Sequence, residues 1–225
     1  ARRPSPRVSG SGSGTSGRPL VRQFGRTVNT NLLDGLISAN YHSLQATLNR
    51  RFSNGLFLKG AYTFSKAINA NDESGSDSGG TTLTWHHPSV LNRNRALSGQ
   101  DRTHILQMAW VYELPFGPGK KWAASSGVLT AIARDWQING LFSSYSGTPF
   151  TVGASGASLN APNNAQTADQ VKPDVSKLGG IGPLAPFYDP LAFQPIIDVR
   201  FGASGRNLLR GPGVVNVNHG VFRTI

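Results

Sequence analysis

Residues Tyr41 to Lys66 hold two runs of alternating side chains joined by Ser53-Asn54-Gly55, and that pattern restricts the chain to β architectures. In the first run Leu44, Ala46 and Leu48 alternate with Ser43, Gln45, Thr47, Asn49 and Arg51. A period of two marks a strand with one wet face. In the second run Leu56, Leu58, Gly60, Tyr62 and Phe64 share a face, opposite Phe57, Lys59, Ala61, Thr63 and Ser65. Asn-Gly between them supplies residues that accept positive φ, as a tight hairpin turn requires. The stretch predicts a long antiparallel hairpin.

Each arm has about ten residues, more than the roughly five or six of a common soluble strand and near the ~9–11 of a tilted bilayer crossing. His42 and Phe52 end the apolar face of one arm, and Tyr62 and Phe64 lie near the end of the other. Transmembrane barrels put aromatic residues at the ends of a lipid-width apolar band in this way. A hairpin in a soluble sandwich carries the same alternation over a core, so one hairpin leaves both readings open.

The remainder of the chain weighs between them. A third strand is expected from His104 to Leu114, with Leu106, Met108, Trp110, Tyr112 and Leu114 on one face and Gln107, Ala109 and Glu113 on the other; Ile105 and Val111 are exceptions. It stops at Pro115-Phe116-Gly117-Pro118-Gly119, which cannot extend a ladder. After a connection with one helical turn around Leu129 to Ala133, a fourth strand spans Trp136 to Ser146, its alternation broken at Leu141. A short strand is expected at Phe150 to Val152 and a last long one from Val214 to Ile225. The connections thus run short, very long, middling, very long. In an up-and-down meander both long ones fall at the same end, the asymmetry of outer-membrane barrels with short periplasmic turns and long external loops. A soluble sandwich gives no reason for it. The fold expected is all-β: an antiparallel up-and-down transmembrane barrel segment of about five long strands, near 41–52, 56–66, 104–114, 136–146 and 214–225, preceded by a Gly/Ser/Arg-rich linker over 1–38.

Composition agrees. Of 225 residues, 27 are Gly and 14 Pro, which suits strands with long loops and disfavours a helical bundle. No run of ~18 apolar residues marks a transmembrane helix, and the N-terminus lacks the apolar stretch of a signal peptide, so a mature or internal segment is expected. With no Cys, disulfide frameworks, Cys-based metal sites and thiol nucleophiles are excluded. The net charge of +11 raises nucleic acid or anionic lipid as a partner. Yet Arg2, Arg3, Arg7, Arg18, Arg22 and Arg26 crowd into a Gly/Ser-rich leading arm without a recognition helix, aromatic RNA-binding motif or zinc finger, so no nucleic-acid partner is expected.

Several stretches together resemble the barrel of TonB-dependent outer-membrane receptors, in the Oar-like group that carries a carboxypeptidase-regulatory-like N-terminal domain. They are Asn40-Tyr41-His42-Ser43-Leu44-Gln45, Arg51-Phe52-Ser53-Asn54-Gly55-Leu56, Tyr62-Thr63-Phe64-Ser65-Lys66, Glu113-Leu114-Pro115-Phe116-Gly117, Trp136-Gln137-Ile138-Asn139-Gly140, Ser146-Gly147-Thr148-Pro149-Phe150, Gly205-Arg206-Asn207 and Leu209-Arg210-Gly211-Pro212-Gly213. The resemblance runs from about Gly17 onward. It implies a plugged barrel in the cell outer membrane that imports a nutrient ligand with energy relayed by the TonB protein. Such transporters have ~22 strands, so the chain reads as a C-terminal-region segment, with further strands beyond Ile225 and with the plug and the TonB-contacting part elsewhere. Partners implied are outer-membrane lipid, the rest of the barrel and its plug, TonB and an unidentified nutrient.

Candidate ligand-binding residues lie in the predicted external loops. Trp85, His86 and His87, with Asp72, Glu73 and Asp77 near in sequence, suggest capture of a metal chelate, although the spacing matches no metal-loop motif and favours a solvated loop. Arg93, Arg95 and Arg102, beside Asp101, suggest an anionic ligand; the alternative is rim ion pairs worth ~0–1 kcal/mol each. Gln45, Thr47, Asn49, Lys59, Thr63, Gln107, Glu113, Gln137 and Asn139 are expected to face the lumen. Lys120 and Lys121 before Trp122 suit lipid headgroups at the periplasmic interface. His42, His104 and His219 fall on the lipid-facing register near strand ends. No catalytic motif, metal site or cofactor is expected. A competing reading is a secreted or cell-surface β-protein that self-assembles through its strand edges, because unpaired edges invite partners.

Overall fold

The structure, a computed structural model, describes residues 19–25, 35, 38–72, 83–122, 127–159 and 164–224. The Arg-rich arm before residue 19, Glu73, Asp77 and Ile225 lie outside the described residues. The elements in chain order are α1 (Pro19–Phe24), β1 (Asn40–Ser53), β2 (Leu56–Asn69), β3 (Ala96–Leu97), β4 (His104–Glu113), α2 (Val128–Ala133), β5 (Trp136–Tyr145), β6 (Pro149–Phe150), β7 (Asp169–Gln170), β8 (Phe193–Gln194), β9 (Leu209–Arg210) and β10 (Val214–Arg223). The fold is all-β, and the α-helices among the described residues are six residues each. None of the described helices is long and apolar enough to cross a membrane.

Two compact units are interleaved along the chain. The sheet unit comprises His42–Lys66, Arg102–Gly147 and Gly213–Ile225. Its long strands lie in the order β1-β2-β4-β5-β10, each consecutive in sequence once the loop strands are set aside, which is a meander. Asn54 and Gly55 take φ of 52° and 76°, the left-handed geometry that lets two residues close the β1–β2 turn. β2 continues to Asn69, past the Lys66 at which the alternation weakens, and its last two residues pair with β3.

The register decides what each face carries, because antiparallel partners project to the same side. Leu58 pairs with Trp110, Trp110 with Gly140 and Gly140 with His219. Gly60, Met108, Phe142 and Val217 form the next row, and Leu56, Tyr112, Ile138 and Val221 the row before it. One face is therefore a continuous apolar band across four strands. Where a soluble sheet would bury such a band, this one leaves it open: Val215 is 65% exposed, Leu44 68% and Phe64 47%. The band needs a non-aqueous neighbour.

A buried cluster exists, but in the loop unit, which comprises Ala1–Tyr41, Ala67–Asp101 and Thr148–Pro212. Trp85, Val90, Leu159 and Phe201 pack there at 1% exposure or less. Short ladders tie the segments: β6 with β9, β7 with β8, and bridges from Gly153 to Thr167 and Lys177 to Tyr188. Segments whose length alone suggests loose loops are thus packed where they are described. The expected short strand at Phe150 to Val152 lies one residue earlier, at Pro149–Phe150, and Pro19–Phe24, within the stretch read as linker, is helical.

Candidate functional site

The sheet's second face gathers the polar positions. Lys59 pairs with Ala109, Ala61 with Gln107, Thr63 with Ile105, Glu113 with Gln137, and Val111 with Asn139. The register therefore places Lys59, Thr63, Gln107, Glu113, Gln137 and Asn139 on one side. Gln45, Thr47 and Asn49 are exposed on β1, beside β2. Gln107 donates to the Tyr145 hydroxyl at 2.8 Å, and Glu113 pairs with Lys120 at 2.8 Å. Asn216 and Asn218 join this face opposite Ser143 and Leu141. They belong with the candidate lumen set but were not singled out, although the alternation of Val215, Val217 and Val221 with Asn216 and Asn218 carried the signal.

The exceptions to alternation also come together. Val111 and Leu141 lie on the polar face with Phe57 and Phe222. They line a groove of about 470 Å³ to which Asn139, Asn218 and the apolar-face residues Trp110 and His219 also contribute. The irregularities at Val111 and Leu141 thus join Phe57 and Phe222 in one apolar patch on the polar face.

In the loop unit the candidate ligand residues divide. Trp85 is fully buried; its indole N–H donates to the Ala165 carbonyl at 3.0 Å, and its main chain is held on both sides by the Asn94 amide. It is a core residue with no surface to offer a ligand. His86 is exposed, His87 is half-buried, and both backbone N–H groups donate to the Asn164 side-chain oxygen. The His87 ring meets Ser89 at 2.6 Å and tilts against Phe201. Arg93 donates to the Gly202 carbonyl at 2.6 Å, and burial lowers its pKa against the raising effect of Asp169. Arg95 reaches Ser38 and Asn40. Arg102, in the sheet unit, donates to the Ser146 carbonyl and lies over the Tyr145 ring. Each of these arginines is engaged in hydrogen bonds with its own partners. Among the described residues no group of three or more His, Asp or Glu is placed to hold a metal ion.

The strongest electrostatics belong to residues outside that candidate set. Arg206, with its side chain 3% exposed, has Nη1 2.6 Å from Asp72, and donates to the Asn94 carbonyl and to both oxygens of Asn69. Burial pushes the Asp72 carboxyl up, but the Gly99 N–H, Asn207, Asn69 and the Arg206 charge together bring it below the ordinary aspartate value. Arg200 grips Asp169 at 2.5 and 3.1 Å; that hydrogen bond, with the Ala203 N–H and the Arg200 and Arg93 charges, outweighs burial and also depresses Asp169. Arg210 pairs with the buried Asp101, which also accepts the Ala67 N–H at 2.6 Å. Arg206, Asn207 and Arg210 all stand in the stretches Gly205-Arg206-Asn207 and Leu209-Arg210-Gly211, so the signal was present in sequence; their acidic partners, more than 100 positions away, were not legible from spacing.

An antiparallel meander with one open apolar band, one polar face and long excursions leaving from one strand end has the architecture of an outer-membrane β-barrel wall. A family model described as an outer membrane beta barrel domain matches residues 2–225. The chain belongs to this family and resides in the cell outer membrane, with its apolar band against lipid. No curated protein and no solved structure matches the chain.

Proposed function

We propose that this chain forms part of the wall of a TonB-dependent receptor that imports a nutrient ligand, in a binding and translocating role without catalysis. The observation that carries this reading is the register, which collects Lys59, Gln107, Gln137, Asn139, Asn216 and Asn218 on the face opposite the lipid band. A large polar-lined lumen of this kind suits a plug and water. The loop unit supplies an ordered external structure for ligand capture, with His86 exposed on it. Likeness of the eight sequence stretches to Oar-like receptors adds support. The test is uptake in a Gram-negative host expressing the protein, with labelled ferric hydroxamate, oligosaccharide and oligopeptide probes. Uptake of one probe that stops when the proton-motive force is collapsed or TonB is deleted is the expected result; uptake insensitive to both overturns the reading in favour of passive diffusion.

A second reading draws on the outer strands β1 and β10, which end the sheet order. Unpaired edges of this length can pair with other copies, giving a surface β-assembly. Filaments or a defined oligomer in detergent-free buffer favour it; monomers that fold only in micelles, with heat-modifiable migration, exclude it.

A further inference from the structure

The turn end of the sheet unit carries a group of residues that the lumen and the loop unit do not use. Between β4 and β5 the chain folds back on itself: Trp122 donates its N–H to the Pro115 carbonyl and Gly117 donates to the Trp122 carbonyl, with the Phe116 and Trp122 rings 5.6 Å apart. Lys121 lies over the Trp122 ring at 5.4 Å. The chain then forms α2, which is fastened to the apolar side of the sheet. Trp136 shares the parity of Ile138 and Phe142 on that face, and its indole N–H donates to the Ile132 carbonyl at 2.7 Å. Arg223, the partner of Trp136 in the register, donates to the Ala131 carbonyl and places its guanidinium 5.8 Å from the Trp136 ring.

This fastening leaves Val128 and Ile132 exposed, at 78% and 59%, four residues apart and so on one side of the helical turns. Trp122 is 51% exposed. The charges here are lopsided. Lys120 is paired with Glu113 and Arg134 with Asp135, while Lys121 and Arg223 have no carboxylate within ion-pair distance among the described residues. An exposed apolar pair, amphipathic indoles and two uncompensated cations at the margin of a lipid-facing band match the chemistry of a headgroup region. The surface is continuous with the lipid interface, and its excess charge is complementary to an anion.

We propose that the α2 rim is a binding site for anionic phospholipid headgroups. Val128 and Ile132 enter the acyl boundary, Trp122 and Trp136 sit at headgroup depth, and Lys121 and Arg223 hold the headgroup phosphate together with its net negative charge. Arg223 suits this role because its guanidinium is already oriented by the Ala131 carbonyl and the Trp136 face, so little rotamer freedom is lost on binding.

The test uses the full chain folded in vesicles of phosphatidylcholine alone or mixed with phosphatidylglycerol, with brominated versions of each lipid quenching tryptophan fluorescence. Trp85 is buried and reports no lipid contact; a Trp110→Phe background removes the tryptophan of the band. Wild type is expected to prefer phosphatidylglycerol, and Lys121→Gln and Arg223→Gln are each expected to reduce the preference about fivefold, the effect of one cation near an anionic surface. Lys121→Arg retains it. Val128→Ser with Ile132→Ser is expected to weaken quenching by both lipids equally. Heat-modifiable migration confirms that every variant is folded. No preference in wild type, or a preference unchanged in the Lys121→Gln, Arg223→Gln double variant, overturns the site. Inorganic phosphate at matched ionic strength separates sources: failure to displace phosphatidylglycerol identifies the lipid as the ligand, and full displacement assigns the site to free phosphate and overturns the lipid proposal.

Discussion

Gly140 is fixed by its neighbour and not by its backbone angles. A Cβ there would lie 2.2 Å from Cζ2 and 2.7 Å from Cε2 of Trp110, whose ring lies flat over the glycine on the lipid face. Gly140→Ala is expected to cost about 1–3 kcal/mol through overpacking, read as a lower urea midpoint for unfolding from vesicles. In a Trp110→Ala background the same substitution should be close to neutral, since the two effects share one contact. Arg206 is the corresponding residue in the loop unit. Arg206→Ala removes one donor from Asp72, which keeps those of Gly99, Asn69 and Asn207, and leaves the Asn94 and Asn69 carbonyls without the guanidinium; losing hydrogen bonds to a charged group costs about 1.5–3 kcal/mol. The loss should show as faster hydrogen exchange in residues 83–101 and 203–211, with exchange in β4 and β5 unchanged. The carboxylates set the pH response. Asp72 and Asp169 both titrate below their ordinary value in the folded state, so their stabilisation is complete above the unfolded value of about 3.9. It is lost as pH falls from there through the depressed folded values. Protease sensitivity of the loop unit should therefore stay flat from neutral pH to about 4 and rise below it; a rise that begins well above pH 4 would overturn the assignment to these carboxylates.

At the scale of elements, the β1–β2 hairpin depends on its turn. Gly55 sits at φ 76°, and a Cβ would come 3.1 Å from the Glu113 carbonyl oxygen. Gly55→Val should lose about 1–2 kcal/mol from the left-handed geometry alone, measured by equilibrium unfolding, with a slower refolding phase if the hairpin forms early. This hairpin was legible because everything that defines it is local: the period of two, the Asn-Gly pair and the lengths of the arms. The faces of β4, β5 and β10 were legible for the same reason. The loop unit was not. Trp85 reads as an exposed binding residue beside two histidines, yet it meets Leu159 and Phe201, over 70 positions away, in the buried cluster. Periodicity carries no information about such a partner, and irregular segments have none to read. The arginines show the same dependence on distant partners: a cation in a loop is ambiguous until its acceptor is known, and Arg93 and Arg102 donate to backbone carbonyls at Gly202 and Ser146. Val111 and Leu141 were visible only as breaks in a pattern, and the register was needed to show that they sit on one face with Phe57 and Phe222.

For the molecule as a whole the sidedness of the sheet is the property on which localisation, lumen and loops all depend, and neighbouring residues of β5 test it. Phe142 lies mid-strand in the row of Gly60, Met108 and Val217, on the apolar face; Ser143 follows it on the polar face, in the row of Ala61, Gln107 and Asn216. An arginine on a lipid-facing position near the bilayer midplane costs about 2–4 kcal/mol, whereas one facing a water-filled lumen keeps its hydration. Phe142→Arg is therefore expected to lower folding stability in vesicles by that amount, with Ser143→Arg within about 1 kcal/mol of wild type. Both substitutions introduce the same side chain and charge one residue apart in the same strand, so the added charge and the propensity of the introduced residue are common to the two. Their difference reports the medium on each side of the sheet. A reversed order would put the aromatic band inward and the asparagines against lipid, and equal small effects would place both faces in water, as the edge-assembled form requires. Only a large loss at Phe142 alone is compatible with a wall whose valines and aromatics meet the bilayer while its amides line the interior.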